Sequence, residues 1–326
     1  MIFRYFKHFI LTATNWALSS SDDVLVGGQA VMEGVMMRSP QGYSVAVRRQ
    51  DGSIRVIKET LKTPAEKWKI FKLPVIRGVG VLGQALVLGI KALRFSADEA
   101  VQDAEAAEAA STGGEKKTKE DAKPEKLSGW LIAGSLVLAL GVNIALLFAL
   151  PLFLTNFLQS QLGFENSILF NAIDGVFRVT TFVLFLLVIS WMKDMRRVFE
   201  YHGAEHKTVY NFEARENLTV ENAQKYSTLH PRCGTSFLLV LMIVSIVVFS
   251  VAHFDALAAK LVARIVLLPL IAGISYEIIR FSAKHPGSLL RIVTYPGLLL
   301  QKITTKEPDE KQLATAIKAL EEALSV

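Results

Sequence analysis

Four stretches of this chain, at about 129–156, 168–192, 235–254 and 261–279, run for roughly 20 residues or more almost without charge. A bilayer core about 30 Å thick is crossed by roughly 20 apolar residues of helix. The pattern therefore predicts a mainly α, polytopic membrane protein whose four transmembrane helices form two hairpins. Mean hydropathy of +0.36 is too high for a plain soluble enzyme and excludes a wholly disordered chain. Cys233 is the single cysteine, so no intrachain disulfide can form.

Charge gives the orientation. Residues 1–128 hold 19 Lys and Arg, the 193–234 connection holds 7, and the tail from Arg280 holds 7. The 157–167 connection has none, and Lys260 is alone in the other short one. The positive-inside rule then places both termini and the long connection in the cytoplasm, with Trp130 and Trp191 at the inner interface. The same bias accounts for a pI of 9.3. No zinc-finger spacing or RNA-binding aromatic signature accompanies it, so no nucleic-acid partner is expected. The lipid bilayer is, together with an unidentified membrane or cytoplasmic protein.

Around the spans lies a small N-terminal cytoplasmic α+β region, 1–72. It starts with an amphipathic helix, too polar at Thr12, Thr14 and Asn15 for a signal peptide. At 24–40 come a short strand, a glycine pair and a helix turn, and then a β-hairpin turning at Asp51-Gly52. Residues 73–97 carry Arg77, Gln84 and Lys91 every seven positions, with Asp98 continuing the spacing just beyond, one polar stripe on an apolar helix. This is the pattern of an amphipathic interfacial helix, with a re-entrant piece as the alternative. Residues 98–127 are a charged linker. The remaining divisions are a transmembrane hairpin at 128–192, a loop at 193–234, a second hairpin at 235–280 and a cytoplasmic tail at 281–326. In the tail, Leu313, Ile317, Leu320 and Leu324 mark one face of an amphipathic helix. Asp174, Arg178, Arg264 and Glu277 fall inside spans, where charges need partners; Asp174 is expected to pair with Arg178 or Arg264.

The 193–234 loop carries the chemistry. His202 and His206 are four apart, the spacing with which one helical face presents two imidazoles to an ion. Glu205 between them gives H-x-x-E-H, the inverted form of a zinc-hydrolase motif with the glutamate as catalytic base. A second pair, His230 and Cys233, follows across a turn at Pro231. Together His202, His206, His230 and Cys233 offer N and S donors for a tetrahedral divalent metal, Zn²⁺ above all. His8, His253 and His285 lack donor neighbours in sequence and read as interfacial.

Three motifs, GGQAVMEGVMMRSP, HGAEHK and YSTLHPRCGTSF, resemble the YqhQ-like family over roughly 24–300. These are bacterial membrane proteins with a domain of unknown function, commonly described as predicted metal-dependent enzymes. The resemblance implies a bacterial inner-membrane location and a metal on the same His and Cys residues, but no substrate. The residues themselves suit a zinc-dependent hydrolase at the cytoplasmic membrane face, with Glu205 as base. Its substrate would be a peptide bond of a membrane-tethered protein or a lipid-linked group. The alternative is a non-catalytic membrane scaffold with a structural metal. Three protein ligands plus a water mark the first, and four protein ligands the second.

Overall fold

The computed structural model describes residues 26–62, 64–111, 129–231, 233–251, 256–285 and 290–326. The expected N-terminal amphipathic helix, most of the charged linker and His253 lie outside them. Four strands form an antiparallel meander: β1 (Gly27–Val31), β2 (Gly34–Arg38), β3 (Gly42–Arg48) and β4 (Ile54–Thr60). The hairpin expected at Asp51-Gly52 joins β3 to β4, with Gly52 at φ 85°. The helix turn expected in 24–40 is instead a second hairpin. Residues 27–31 pair with 38–34, and the chain reverses at Met32-Glu33 with Glu33 at φ 53°.

Both sheet faces are buried. On one, Val31, Met36, Tyr43, Val45 and Val47 meet Leu88 and Ala92 of α1 (Ile76–Ser111). The stripe at seven-residue spacing contributes to that docking. Gln84 accepts from Arg38 at 2.9 Å, Lys91 pairs with Glu59 at 2.9 Å, and Arg77 pairs with Glu277. The polar side of α1 thus faces protein, and Leu86, Val87, Ile90 and Leu93 face outward, Leu86 being 66% exposed. On the other sheet face, Val35, Met37 and Ala46 pack against α5 (Lys193–Glu213) and α10 (Glu310–Leu324). Ser39 and Ser44 donate to the carbonyls of Ala323 and Ala319, tying β2 and β3 to α10. Leu313, Ile317 and Leu320 are buried here as their spacing predicts, each contributing about 1.5–3 kcal/mol. Leu324 stays 38% exposed.

The apolar helices form a bundle beside this sandwich. α2 (Gly129–Ile144) passes through a π-helical turn, Ala145–Ala149, into α3 (Leu150–Leu162), which stops at Gly163 with φ 66°. α4 (Ser167–Ser190) starts on Asn166, whose side chain accepts from the N–H groups of Ile168 and Leu169. α6 (Gly234–Val251) follows. The fourth expected span is two helices, α7 (Leu257–Val266) and α8 (Leu268–Lys284), bent by 47° where Pro269 opens α8. Four described helical stretches, α1 among them, are long and apolar enough to cross a membrane; the bent pair makes five. The tail holds more than one helix: α9 (Leu290–Thr304) packs on α6 and α4 before α10 begins. Asp174 pairs with both Arg178 and Arg264 at 2.8 Å.

Candidate metal centre

α5 follows α4 after a two-residue break at Trp191-Met192. Its Tyr201 and Ala204 bury against the sheet and α10, which turns His202 and His206 toward the start of α6. Gly203 lets the chain after α9 press against the helix. A Cβ there would meet the Lys306 carbonyl, and the Lys306 N–H donates to the Phe199 carbonyl at 2.9 Å.

Backbone carbonyls orient both imidazoles. His202 Nδ1 lies 2.8 Å from the Thr304 carbonyl, and His206 Nδ1 bonds that of Thr228. A carbonyl only accepts, so each Nδ1 carries a hydrogen, and the neutral ring then presents its lone pair at Nε2. His202 Nε2 lies 3.2 Å from Cys233 Sγ. His206 Nε2 is buried without a hydrogen-bond partner. Donor atoms of His202, His206 and Cys233 all fall within 4.8 Å of one another. Ligands of a single tetrahedral ion stand about 3.3–3.8 Å apart, given bonds of about 2.0–2.3 Å. One divalent metal could draw the three donors together, with spacings of up to 4.8 Å closing by about 1 Å, and His206 Nε2 is the donor left without a hydrogen-bond partner.

Glu205 stands beside them. Its Oε1 accepts the Gly28 N–H at 2.9 Å, while Oε2 lies 3.5 Å from His206 Nε2 and 4.0 Å from His202 Nε2. β1 thus reaches the centre through its glycine pair. A Cβ on Gly28 would sit 2.9 Å from Glu205 Cγ and from Met37 Sδ.

His230 is adjacent but aimed elsewhere. Its ring centre is 5.6 Å from that of His206 and 4.5 Å from that of Tyr210, and its Nε2 lies 3.5 Å from Glu213 Oε1. Its backbone is clamped from both sides by Gln301 of α9, at 2.7 and 2.8 Å. Burial pushes the imidazole pKa below the ordinary value, against a raising effect from Glu205, so His230 is held neutral. The structure thus gathers His202, His206 and Cys233 around one point, with Glu205 at its edge and His230 alongside. His285, expected at an interface, stacks on Phe281 at 4.4 Å. Gly28, Thr228, Gln301 and Thr304 belong to the centre too. Three of them act through backbone groups, which leave no sequence signal.

The family model described as "Protein of unknown function (DUF1385)" matches residues 73–326. The "Uncharacterized protein YqhQ" of Bacillus subtilis (strain 168) is 34% identical over 302 residues, 91% of this chain and 92% of that protein. No solved structure matches.

Proposed function

The chain belongs to the DUF1385 family of proteins of unknown function, and on that footing we propose that it is a metal-dependent hydrolase of the bacterial inner membrane. The observation that carries this reading is the three-donor cluster with a carboxylate beside it. His202, His206 and Cys233 would hold the ion, most naturally Zn²⁺, and a set of three protein donors is the kind that admits water. Bound there, the metal supplies Lewis acidity that makes water nucleophilic near neutral pH. Glu205 accepts the proton at Oε2, its other oxygen being fixed by the Gly28 N–H. Thr304 and Thr228 act through the imidazoles, fixing the tautomer that leaves each Nε2 open.

Both termini and the 193–234 segment are proposed to face the cytoplasm, on the distribution of Lys and Arg. The centre would then lie under the bundle, within reach of a membrane-tethered peptide bond or a lipid-linked group.

Metal content and complementation of a deletion strain test the proposal together. Glu205→Gln should keep stoichiometric Zn²⁺ and fail to complement, while His206→Ala should lose both. If Glu205→Gln complements like the wild type and His206→Ala does not, the centre is a structural clamp in a scaffold. His230, one ring away from His206, would then be the residue to test as a fourth ligand.

A further inference from the structure

A second cluster sits in the bundle. Asp174 and Arg178 on α4 and Arg264 on α7 are each at most 3% exposed. Both guanidiniums use Nη2 on the same oxygen, Asp174 Oδ2, at 2.8 Å. Arg178 Nη1 donates to Ser245 Oγ of α6 at 2.8 Å, and Arg264 Nη1 to the Phe148 carbonyl. Two buried groups are left over: the Arg178 Nε–H, a donor, and Asp174 Oδ1, an acceptor. Neither guanidinium has a second carboxylate among the described residues, so two cations face one anion.

The surroundings are irregular at the same place. Phe148, whose carbonyl Arg264 takes, lies in the π-helical turn. Arg264 lies three residues before the break between α7 and α8. Broken backbone at membrane depth persists where protein buries it or where it lines a site, and π turns concentrate at functional sites. Phe249 has both guanidiniums over its ring at 5.5 Å, and Phe148 has Arg178 at 5.3 Å. These ring faces soften the excess charge but supply no acceptor for Nε–H and no donor for Oδ1.

We propose that this cluster binds one phosphate monoanion, either inorganic phosphate or the head of a lipid phosphomonoester. Such a group carries the charge the cluster lacks, an oxygen for Arg178 Nε–H and a hydroxyl for Asp174 Oδ1. Halides and phosphodiesters have no such hydroxyl. The site rests on the reading of the bundle as membrane-embedded but owes nothing to the metal centre.

The test is equilibrium binding of labelled inorganic phosphate to the full chain in phosphatidylcholine nanodiscs. It is done in a His206→Ala background, so that the metal centre contributes nothing. Incorporation into the discs separately checks the membrane reading. One saturable site per chain is expected. Arg178→Lys, which keeps the charge but removes the Nε–H, should weaken it by about tenfold or more, the loss of one charge-assisted hydrogen bond. Arg264→Gln should weaken it by removing the positive charge that the phosphate balances. Asp174→Asn, which removes the opposing charge, should tighten it several-fold. Excess chloride should compete poorly. In discs doped with phosphatidic acid, occupancy by that lipid would reduce phosphate uptake and identify a lipid source, whereas unchanged uptake identifies the free ion. Absence of a saturable site in both disc types, or binding indifferent to Arg178→Lys and Asp174→Asn, overturns the proposal. Equal competition by chloride overturns the assignment to phosphate.

Discussion

His206 is the most constrained side chain of the centre: fully enclosed, fixed at Nδ1 by a carbonyl, and left at Nε2 with nothing to accept from. A buried acceptor without a donor costs about 1–3 kcal/mol, so metal binding should stabilise the fold as well as arm it. Chelation is accordingly expected to lower the melting temperature of the wild type and leave that of His206→Ala unchanged. Binding should weaken on acidification, because protons compete for both imidazoles and for the thiolate; Zn²⁺ titration at falling pH checks this. Gly28→Ala probes the other side. The added methyl collides with Glu205 Cγ and with the β2 carbonyl of Met36. Complementation should be lost while metal content is retained, since no ligand is touched. At this scale the sequence was readable where side chains act. The four-residue spacing of His202 and His206 and the lone Cys233 pointed to one centre. That His230 would turn toward Glu213 was not, because its direction is set by Gln301 from α9, 71 residues away.

Among the elements, α10 is the piece whose loss would expose most of the sheet. It starts on a capping box, with Asp309 accepting from the Gln312 N–H and Gln312 reciprocating. Asp309→Ala should cost about 1 kcal/mol, measurable by denaturant unfolding. Gly203→Ala, where α5 meets the Lys306 carbonyl, should cost about 1–3 kcal/mol by overpacking. Near its end, Glu322 bonds Lys318 and Lys58, which hold its carboxyl at about 2 against a usual 4.5. A carboxyl depressed in the fold favours the native state above 4.5, and that contribution fades as pH falls toward 2. Amide protection factors along α10, which remove the intrinsic slowing of exchange in acid, should therefore fall slightly between pH 5 and pH 3, since the pair is exposed; Glu322→Gln should flatten the change. The α10 stripe was legible because its period matches its burial. The β1–β2 hairpin was not, since Met32-Glu33 offers none of the Asn or Gly that usually supplies positive φ. α9 was hidden by Pro296 in its middle, a residue that ordinarily ends a helix.

For the whole molecule the apolar blocks dictated a bundle, but they do not distinguish a continuous helix from a broken one, as α7 and α8 illustrate. The proposed orientation predicts that reporter fusions after Lys225 and Lys306 read cytoplasmic and one at Gly163 reads external. An external signal at Lys225 would put the centre in the wrong compartment for its proposed substrates. The sheet between α1 and α10 also has a history in time. Its strands are among the first parts of the described chain to be made, whereas α10 is the last. About 250 residues separate Thr60 from Glu310, some 10 to 50 seconds of translation at ordinary rates. Throughout that interval Val35, Met37 and Ala46 have no α10 to cover them. A nascent chain of this design needs a chaperone or the translocation machinery over that face. Stop codons anywhere before α10 should yield a product that is degraded or aggregates rather than one that is merely shortened.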